Sequence, residues 1–414
     1  MNRAKNQYWF HVNTAKCGGP DGGSRMTWRR LGPLAALSTI VLVASGCNWL
    51  QFRSDPSHSG QNAGETAISV TNVQSLVQRF SATAGSNVDS SPAVANGIAY
   101  VGSDDHRLYT FDAAGNTSCS GSPKTCAPLW TAGSGDFMFS SPAVSNGVVF
   151  VGSNDGNLYA LDAAGNTNCS GSPKVCSPLW TADPHVGGSS PSVVNGVVYV
   201  GSGDRNLYTY DASGATNCSG SPKVCLPLWT GTTGAAVSSS PAVANGVVYA
   251  SSFDGSLSAF DAAGNTNCSG SPKVCAPLWT AAIGSGFEES SPAVSSGVVY
   301  VGSPGGRLSA FDAAGNTNCS GSPKVCAPLW TATTGGAIGS SPAVANGVVY
   351  VGSFDHKIYA YDAAGNLSCS GSPKACAPLW TATTGARVLS SPAVVNGMVY
   401  VGSSDYNFYA FGLP

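Results

Sequence analysis

The residues of this chain best suited to chemistry are its cysteines, and their spacing is uniform. Cys119 and Cys126 bracket Ser-Gly-Ser-Pro-Lys-Thr, and the same C-x6-C spacing returns in Cys169 with Cys176, Cys218 with Cys225, Cys268 with Cys275, Cys319 with Cys326 and Cys369 with Cys376. Such pairs could hold metal or form local disulfides. Metal needs four convergent ligands, and no His, Asp or Glu lies inside any of the inserts. Six local disulfides are therefore expected, each closing a short ring and contributing roughly 2.5 kcal/mol in the chain-entropy model. The inserts also carry Lys124, Lys174, Lys223, Lys273, Lys324 and Lys374. These read as a solvated ring of charge on one face, with an anionic surface partner as the alternative.

Other chemistry-bearing groups are sparse. There is no H-E-x-x-H, no G-x-S-x-G and no phosphate-binding glycine loop, and of five histidines His106, His185 and His356 fall in turns. The repeated Asp-Ala-Ala-Gly-Asn phrase lacks the spaced carboxylates of a calcium loop and reads as a hydrogen-bonded turn. Trp130, Trp180, Trp229, Trp279, Trp330 and Trp380 could each stack on a ligand, yet a tryptophan that recurs in unit after unit points to packing. No catalytic residue, metal site or cofactor is expected. A formal net charge of -2 with no polybasic run also argues against nucleic-acid binding through phosphate neutralisation.

The elements that must position these residues follow from a repeat. Ser90-Ser91-Pro92-Ala93-Val94 recurs in close variants with its proline at Pro142, Pro191, Pro241, Pro292, Pro342 and Pro392, a period of 49 to 51 residues. That period fits one four-stranded propeller blade. In the sixth unit, strand A is expected over Ser341 to Ala345, B over Val348 to Gly352, C over Lys357 to Tyr361 and D over Pro378 to Thr383. Asn346-Gly347 makes the A to B turn and Phe354-Asp355-His356 the B to C turn. Runs such as Val348-Val349-Tyr350-Val351 must be buried on both faces, as in blades stacked radially. The proline before strand A suits an inner edge facing a channel.

Ring closure is legible too. The seventh unit stops at Phe411-Gly412-Leu413-Pro414 without a Leu-Trp strand, whereas Phe80 stands ten residues before Ser90, the spacing of Trp330 to Ser340. The expected fold is an all-β, seven-bladed propeller of four-stranded antiparallel blades, closed by residues 77–85 as the outer strand of the last blade.

Arg25, Arg29 and Arg30 precede an apolar stretch, Leu31 to Val43, followed by Ala44-Ser45-Gly46-Cys47. As a helix this stretch rises only about 20 Å, short of a ~30 Å hydrocarbon core, so it reads as a lipoprotein signal with Cys47 as the lipidated residue. Residues 1–46 are then a leader, with Met26 as an alternative start, 47–75 a lipid-anchored tether and lead-in, and 76–414 the propeller. The mature chain is expected outside the cytosol, anchored to a bacterial membrane through the lipid on Cys47.

The phrase Ser-Pro-Ala-Val, then Gly-Val-Val-Tyr-Val-Gly-Ser, Leu-Tyr-Ala-Phe-Asp-Ala and Leu-Trp closely resembles the pyrroloquinoline-quinone-type (PQQ-like) propeller repeat. The lead-in Phe52-Arg53-Ser54-Asp55-Pro56-Ser57-His58-Ser59-Gly60, with Thr71-Asn72-Val73-Gln74-Ser75-Leu76, is similar to that of quinoprotein propellers. The resemblance covers residues 52–414. It implies one of two branches: quinone-dependent alcohol dehydrogenases, or BamB-type lipoproteins of the outer-membrane barrel assembly machine. The dehydrogenases resemble one another in an adjacent Cys-Cys pair, and none occurs here. Both branches are usually eight-bladed, and the BamB-type subunit lacks regular cysteine hairpins. The scaffold branch is favoured, with a quinone-dependent dehydrogenase or a structural surface protein as alternatives.

A symmetric ring recognises an asymmetric partner where its symmetry is broken. The A to B and C to D connections are nearly invariant, whereas the B to C and D to A loops, which share the other face, vary. The expected binding face therefore comprises Asp104, His106, Arg107, Asp136, Phe137, Phe139, His185, Arg205, Phe287, Glu288, Glu289, Arg307, His356, Arg387 and Tyr406, together with the channel mouth. Its phenylalanines would be apolar anchors and its charges would set orientation. The partner expected is an envelope protein or peptide, bound by a monomeric ring.

Overall fold

The computed structural model describes residues 49–60, 80–122, 124–284, 290–395, 398–405 and 407–412. Among these residues every regular element is a β-strand. In the sixth blade strand A is Ala343–Ala345, B Val348–Ser353, C Lys357–Asp362 and D Trp380–Thr383, within two residues of expectation. Val344 pairs with Val349, Tyr350 with Ala360 and Ala360 with Trp380. The same A-B-C core repeats from Ala93 to Gly412, making a multi-bladed propeller. The A to B turns hold because both central residues take positive φ, 49° at Asn346 and 78° at Gly347, the twist that joins two antiparallel strands in two residues.

The blades stack through the tryptophans. Trp330, only 2% exposed, lies in one cluster with Tyr300, Leu308 and Ile338 of its own blade and Val349, Val351 and Tyr361 of the next. Its indole fixes the turn below it. Gly365 has φ 64°, and a Cβ there would sit 2.1 Å from Trp330 Cδ1, so the glycine of Asp-Ala-Ala-Gly-Asn is required twice over. Tyr300 Oη, buried in the same layer, donates to the Ala363 carbonyl at 2.9 Å. The tryptophans are thus packing residues between blades.

All six expected disulfides are formed. Their hairpins do more than close rings. Each lies against outer strand D of the preceding blade and pairs with it in parallel, as Val325 and Cys326 do with Thr280 and Ala281. Thr280 N donates to the Lys324 carbonyl at 3.0 Å, and the same bond recurs at Thr131, Thr181, Thr230 and Thr331. The blades keep their four strands A to D, and in five of the sheets a strap from the next blade brings the number to six. The lysines, exposed or half-buried, are also tied down. Nζ of Lys124, Lys174, Lys223, Lys273, Lys324 and Lys374 donates at 2.8–3.0 Å to the carbonyl of the turn glycine, so each side chain folds back on its own strap.

The Asp-Ala-Ala-Gly-Asn loop is a hydrogen-bonded turn. The Asp112 carboxylate accepts from the amides of Thr117, Ala114 and Asn116, and these bonds, led by that from Thr117, hold it below the usual carboxylate range.

The channel differs from expectation. Its lining strands do not face open solvent, because residues 49–60 run around the inner edge. Val94 N donates to Trp49 O at 2.7 Å, Val144 N to Leu50 O at 2.6 Å, Val193 N to Gln51 Oε1 at 3.0 Å and Val243 N to Pro56 O at 2.6 Å. Val294 N, Val344 N and Val394 N then donate to the carbonyls of Ser57, Ser59 and Gly60. Every blade thus satisfies one inner-edge amide on this segment, as buried backbone donors require. Arg53 and His58 are buried within it. Arg53 Nη1 donates to Ser341 O at 2.8 Å and Nε to His58 O at 3.0 Å, while the Asp55 carboxylate accepts from Ser57 and Ser59.

Phe80 takes a tryptophan's place against the turn glycine of the first blade. A Cβ on Gly115 would lie 2.4 Å from Phe80 Cδ1, as the equivalent glycines meet their tryptophans, and Ser81–Ala82 pairs in parallel with Thr125 and Cys126 of the first strap. On the other side, no ladder joins Ser81–Ala82 to Phe408–Gly412 among the described residues. The closing strand is therefore seated against the first strap, and its expected ladder with the seventh blade is not formed among the described residues. Residues 77–79 of the expected strand lie outside the described residues.

Candidate interaction face

The B to C turns owe their shape to an aspartate and a tyrosine four residues apart. Tyr109 Oη donates to Asp105 Oδ2 at 2.5 Å, and Tyr159, Tyr208 and Tyr409 bond Asp155, Asp204 and Asp405 at 2.6 Å; Tyr359 bonds Asp355 likewise. Burial and the Asp204 bond push the Tyr208 phenol up to about 12, so it stays a donor at neutral pH. The same carboxylates accept from the amides of Gly135, Gly335 and Gly385 in the incoming D to A loops. Turn and loop are latched together, which makes this face one surface. The pair is legible in the sequence as D-x-x-x-Y, which spans the B to C turn in five of the seven units. In the fourth and fifth blades Ser258 and Ser309 stand where the tyrosines stand elsewhere.

On this scaffold the expected residues sort into groups. His106, Arg205 and His356 share one left-handed turn position, with φ of 69°, 78° and 69°, where sister blades have Gly255 and Gly306. Their carbonyls point inward: His106 O accepts from Ser134 N, Arg205 O from Thr233 N and His356 O from Thr384 N. Phe137 is 39% exposed, with His106 edge-on at 5.2 Å and Phe139 at 5.5 Å. Asp136 Oδ1 accepts from Phe137 N at 2.8 Å and so sets that loop. Between the sixth and seventh blades, Arg387 lies over the Phe354 ring at 5.1 Å. Phe354 was not among the expected residues; its place in a variable turn was the available signal.

The remaining residues are dispersed. His185 is exposed, with Nδ1 3.5 Å from Asp183 Oδ1, and its carbonyl accepts from Gly203 N at 3.1 Å. Arg107 is exposed at the start of its strand C, Asp104 is half-buried with its amide donating to Asn87 O, and Arg307 is half-buried with its amide on Ser303 Oγ. Phe287, Glu288, Glu289 and Tyr406 lie outside the described residues, as does Cys47. The channel at the level of Val94 and its equivalents is lined by residues 49–60. Among the described residues no group of three or more His, Cys, Asp or Glu side chains is arranged to hold a metal ion.

Residues 74–169, 173–320, 276–368 and 326–412 match the family model of outer membrane protein assembly factor BamB. The chain belongs to the BamB family. Its fold is similar to that of BamB from Moraxella catarrhalis, at a TM-score of 0.56 and 16% identity over 79% of this chain and 86% of that one. It is also similar to the computationally designed Ika8 protein, at a TM-score of 0.55 and 14% identity over 78% and 83% of the two chains. No curated protein matches the sequence. At these identities the solved structures speak to the fold alone, and the strapped rim and loop face described above are features of this BamB-family chain itself.

Proposed function

We propose that this chain is a non-catalytic, extracytoplasmic protein-binding scaffold, held to a bacterial membrane by lipid on Cys47 after removal of residues 1–46, and that its partner is an envelope protein or peptide. Outer-membrane protein assembly is the role that family membership favours. The observation that carries the reading is the use of one left-handed turn position. Glycine takes positive φ without steric cost, whereas a larger L-residue there costs on the order of 1 kcal/mol. The fold is satisfied by Gly255 and Gly306 at that position, yet His106, Arg205 and His356 present large polar side chains from it. Large side chains placed against a backbone preference, beside an exposed Phe137, suit recognition better than stability. Six disulfides suit an oxidising compartment.

Residues 47–75 then serve as more than a tether, since 49–60 line the channel, and 76–414 form the monomeric ring. The test is crosslinked capture from the native envelope with full-length protein. Phe137→Ala combined with Arg387→Glu is expected to reduce capture of a defined partner at least tenfold with melting unchanged. Undiminished capture by that variant would place binding elsewhere.

A further inference from the structure

Trp49 fixes the end of the ring from which the chain enters the channel. It exchanges two backbone bonds with Val94, at 2.8 and 2.7 Å, as an antiparallel pair. Strand A runs from its D to A loop toward its A to B turn, so the chain reaches Trp49 from the A to B end. That end also carries the C to D connections. In six blades the C to D turn donates to the A to B turn at 2.9–3.0 Å, as Ala113 N does to Gly97 O. Cys47 lies outside the described residues, but only two residues of covalent chain join it to Trp49. Two extended residues span at most about 7 Å, the same length of chain that leads from Val94 to the exposed Asn96 of the first A to B turn. A lipid on Cys47 is therefore attached close to the ring axis and at this end.

Resting on the reading that Cys47 is lipidated, we infer that the end of the propeller bearing the A to B turns and the straps lies flat on a phospholipid surface, with the loop face directed away from it. Flatness follows from where the anchor joins. Strand A is the innermost of each blade, and strand D stands three strand spacings, about 14 Å, further out. A ring resting on its rim would hold Trp49 farther from the bilayer than two residues reach. The surface of this end suits the contact. Val175, Val224, Val274 and Val325, one on each of four straps, are 44–54% exposed, and Leu226 and Leu367 beside the straps are 67% and 63% exposed. The charges of this end cancel, because each of the six hairpin units contributes one aspartate in its C to D turn and one lysine in its strap. The contact is thus apolar, reinforces the acyl chains and needs no anionic headgroup.

The test uses the full-length lipidated protein in phosphatidylcholine vesicles that contain a headgroup-spin-labelled lipid, with a dye placed at one exposed site at a time. Ala164, Ala263 and Ala364 are exposed in the C to D turns of the second, fourth and sixth blades, and Asn154 is exposed in a B to C turn. Quenching at the three alanines is expected to be alike and at least threefold stronger than at Asn154. Equal quenching at both ends, stronger quenching at Asn154, or quenching confined to one of the three alanines would overturn the inference. Should a dye disturb folding, vesicles with a photoreactive headgroup should crosslink the unaltered protein in its straps, and crosslinks confined to the B to C and D to A loops would overturn it equally. The mass of the mature N-terminal peptide reads the lipid separately. A peptide without diacylglycerol breaks the reading underneath, and the orientation with it, whereas a lipidated chain quenched at the wrong end breaks the orientation alone. Phe137→Ala combined with Arg387→Glu should leave the quenching pattern unchanged, since both side chains belong to the other face.

Discussion

The strapped rim and the loop face are built on opposite plans. On the rim each polar group is taken up by the same partner in blade after blade: cysteine by cysteine, lysine Nζ by a glycine carbonyl, aspartate by three amides. On the loop face the backbone is held as firmly, by the Asp–Tyr latches, but the side chains above the latches differ from blade to blade. Regular chemistry on one face carries stability. Irregular side chains on a regular backbone leave the other face free to vary without unfolding the ring.

The largest effect should come from breaking the rim. Replacing all twelve hairpin cysteines by serine removes six short loop closures, and at roughly 2.5 kcal/mol each the summed effect, near ~15 kcal/mol, is comparable to a whole domain's stability. The expected outcome is loss of cooperative melting. Retention of the parent melting temperature would show that the straps hold without their disulfides. Gly365→Ala comes next. It places a Cβ 2.1 Å from the Trp330 indole at φ 64°, and should cost about 3 kcal/mol by denaturant unfolding, while Gly347→Ala, whose Cβ meets nothing within 4 Å, carries the φ cost alone.

A third test reaches the channel. Burial, and then the neighbouring Arg53 charge, push the His58 imidazole down to about 4 from 6.5. The unfolded chain therefore takes up the proton first. Stability is full above about pH 6.5 and falls as pH drops toward 4, by about 2 kcal/mol at pH 5. His58→Gln should flatten the melting profile across that window, and an unchanged profile would mean that His58 is not buried neutral. The smallest effect on stability belongs to the loop face. Phe137→Ala should shift unfolding by less than about 0.5 kcal/mol, as exposed positions do, and a larger loss would make that residue part of the frame.

Much of this comparison was legible in the sequence. The period near 50 residues, the Asn-Gly turns and the Phe80 spacing gave the blade, its strands and the seating of the closing strand, because each is a local signal repeated seven times or tied to one that is. Three things were hidden for physical reasons. The strap's pairing joins two residues of one blade to two of another, and a two-residue parallel ladder leaves no periodicity. The lysines read as solvated, and the bond of each Nζ to the turn glycine could not be read because only the strap's fold brings the two together. Phe52 to Gly60, rich in Ser, Asp and Pro, reads as a loop. Its role could have been asked for by counting donors, since seven inner edges around a narrow channel need acceptors. On the loop face, residue types and turn positions were readable, whereas the aromatic contact of His106 with Phe137 depended on the latch that brings two blades' loops together.

The segment that lines the channel also imposes an order of events. Its twelve residues leave the ribosome before any blade does, yet their bonds are distributed from Val94 near the start of the ring to Val394 in its last unit. Trp49 can find its partner as soon as the first blade exists; Gly60 must wait until nearly the whole chain has been made and exported. Contacts this far apart in sequence form late and slowly. The individual blades can therefore assemble locally one after another, while the ring acquires its final set of inner-edge bonds in a last step that a chain truncated before Val394 could never take.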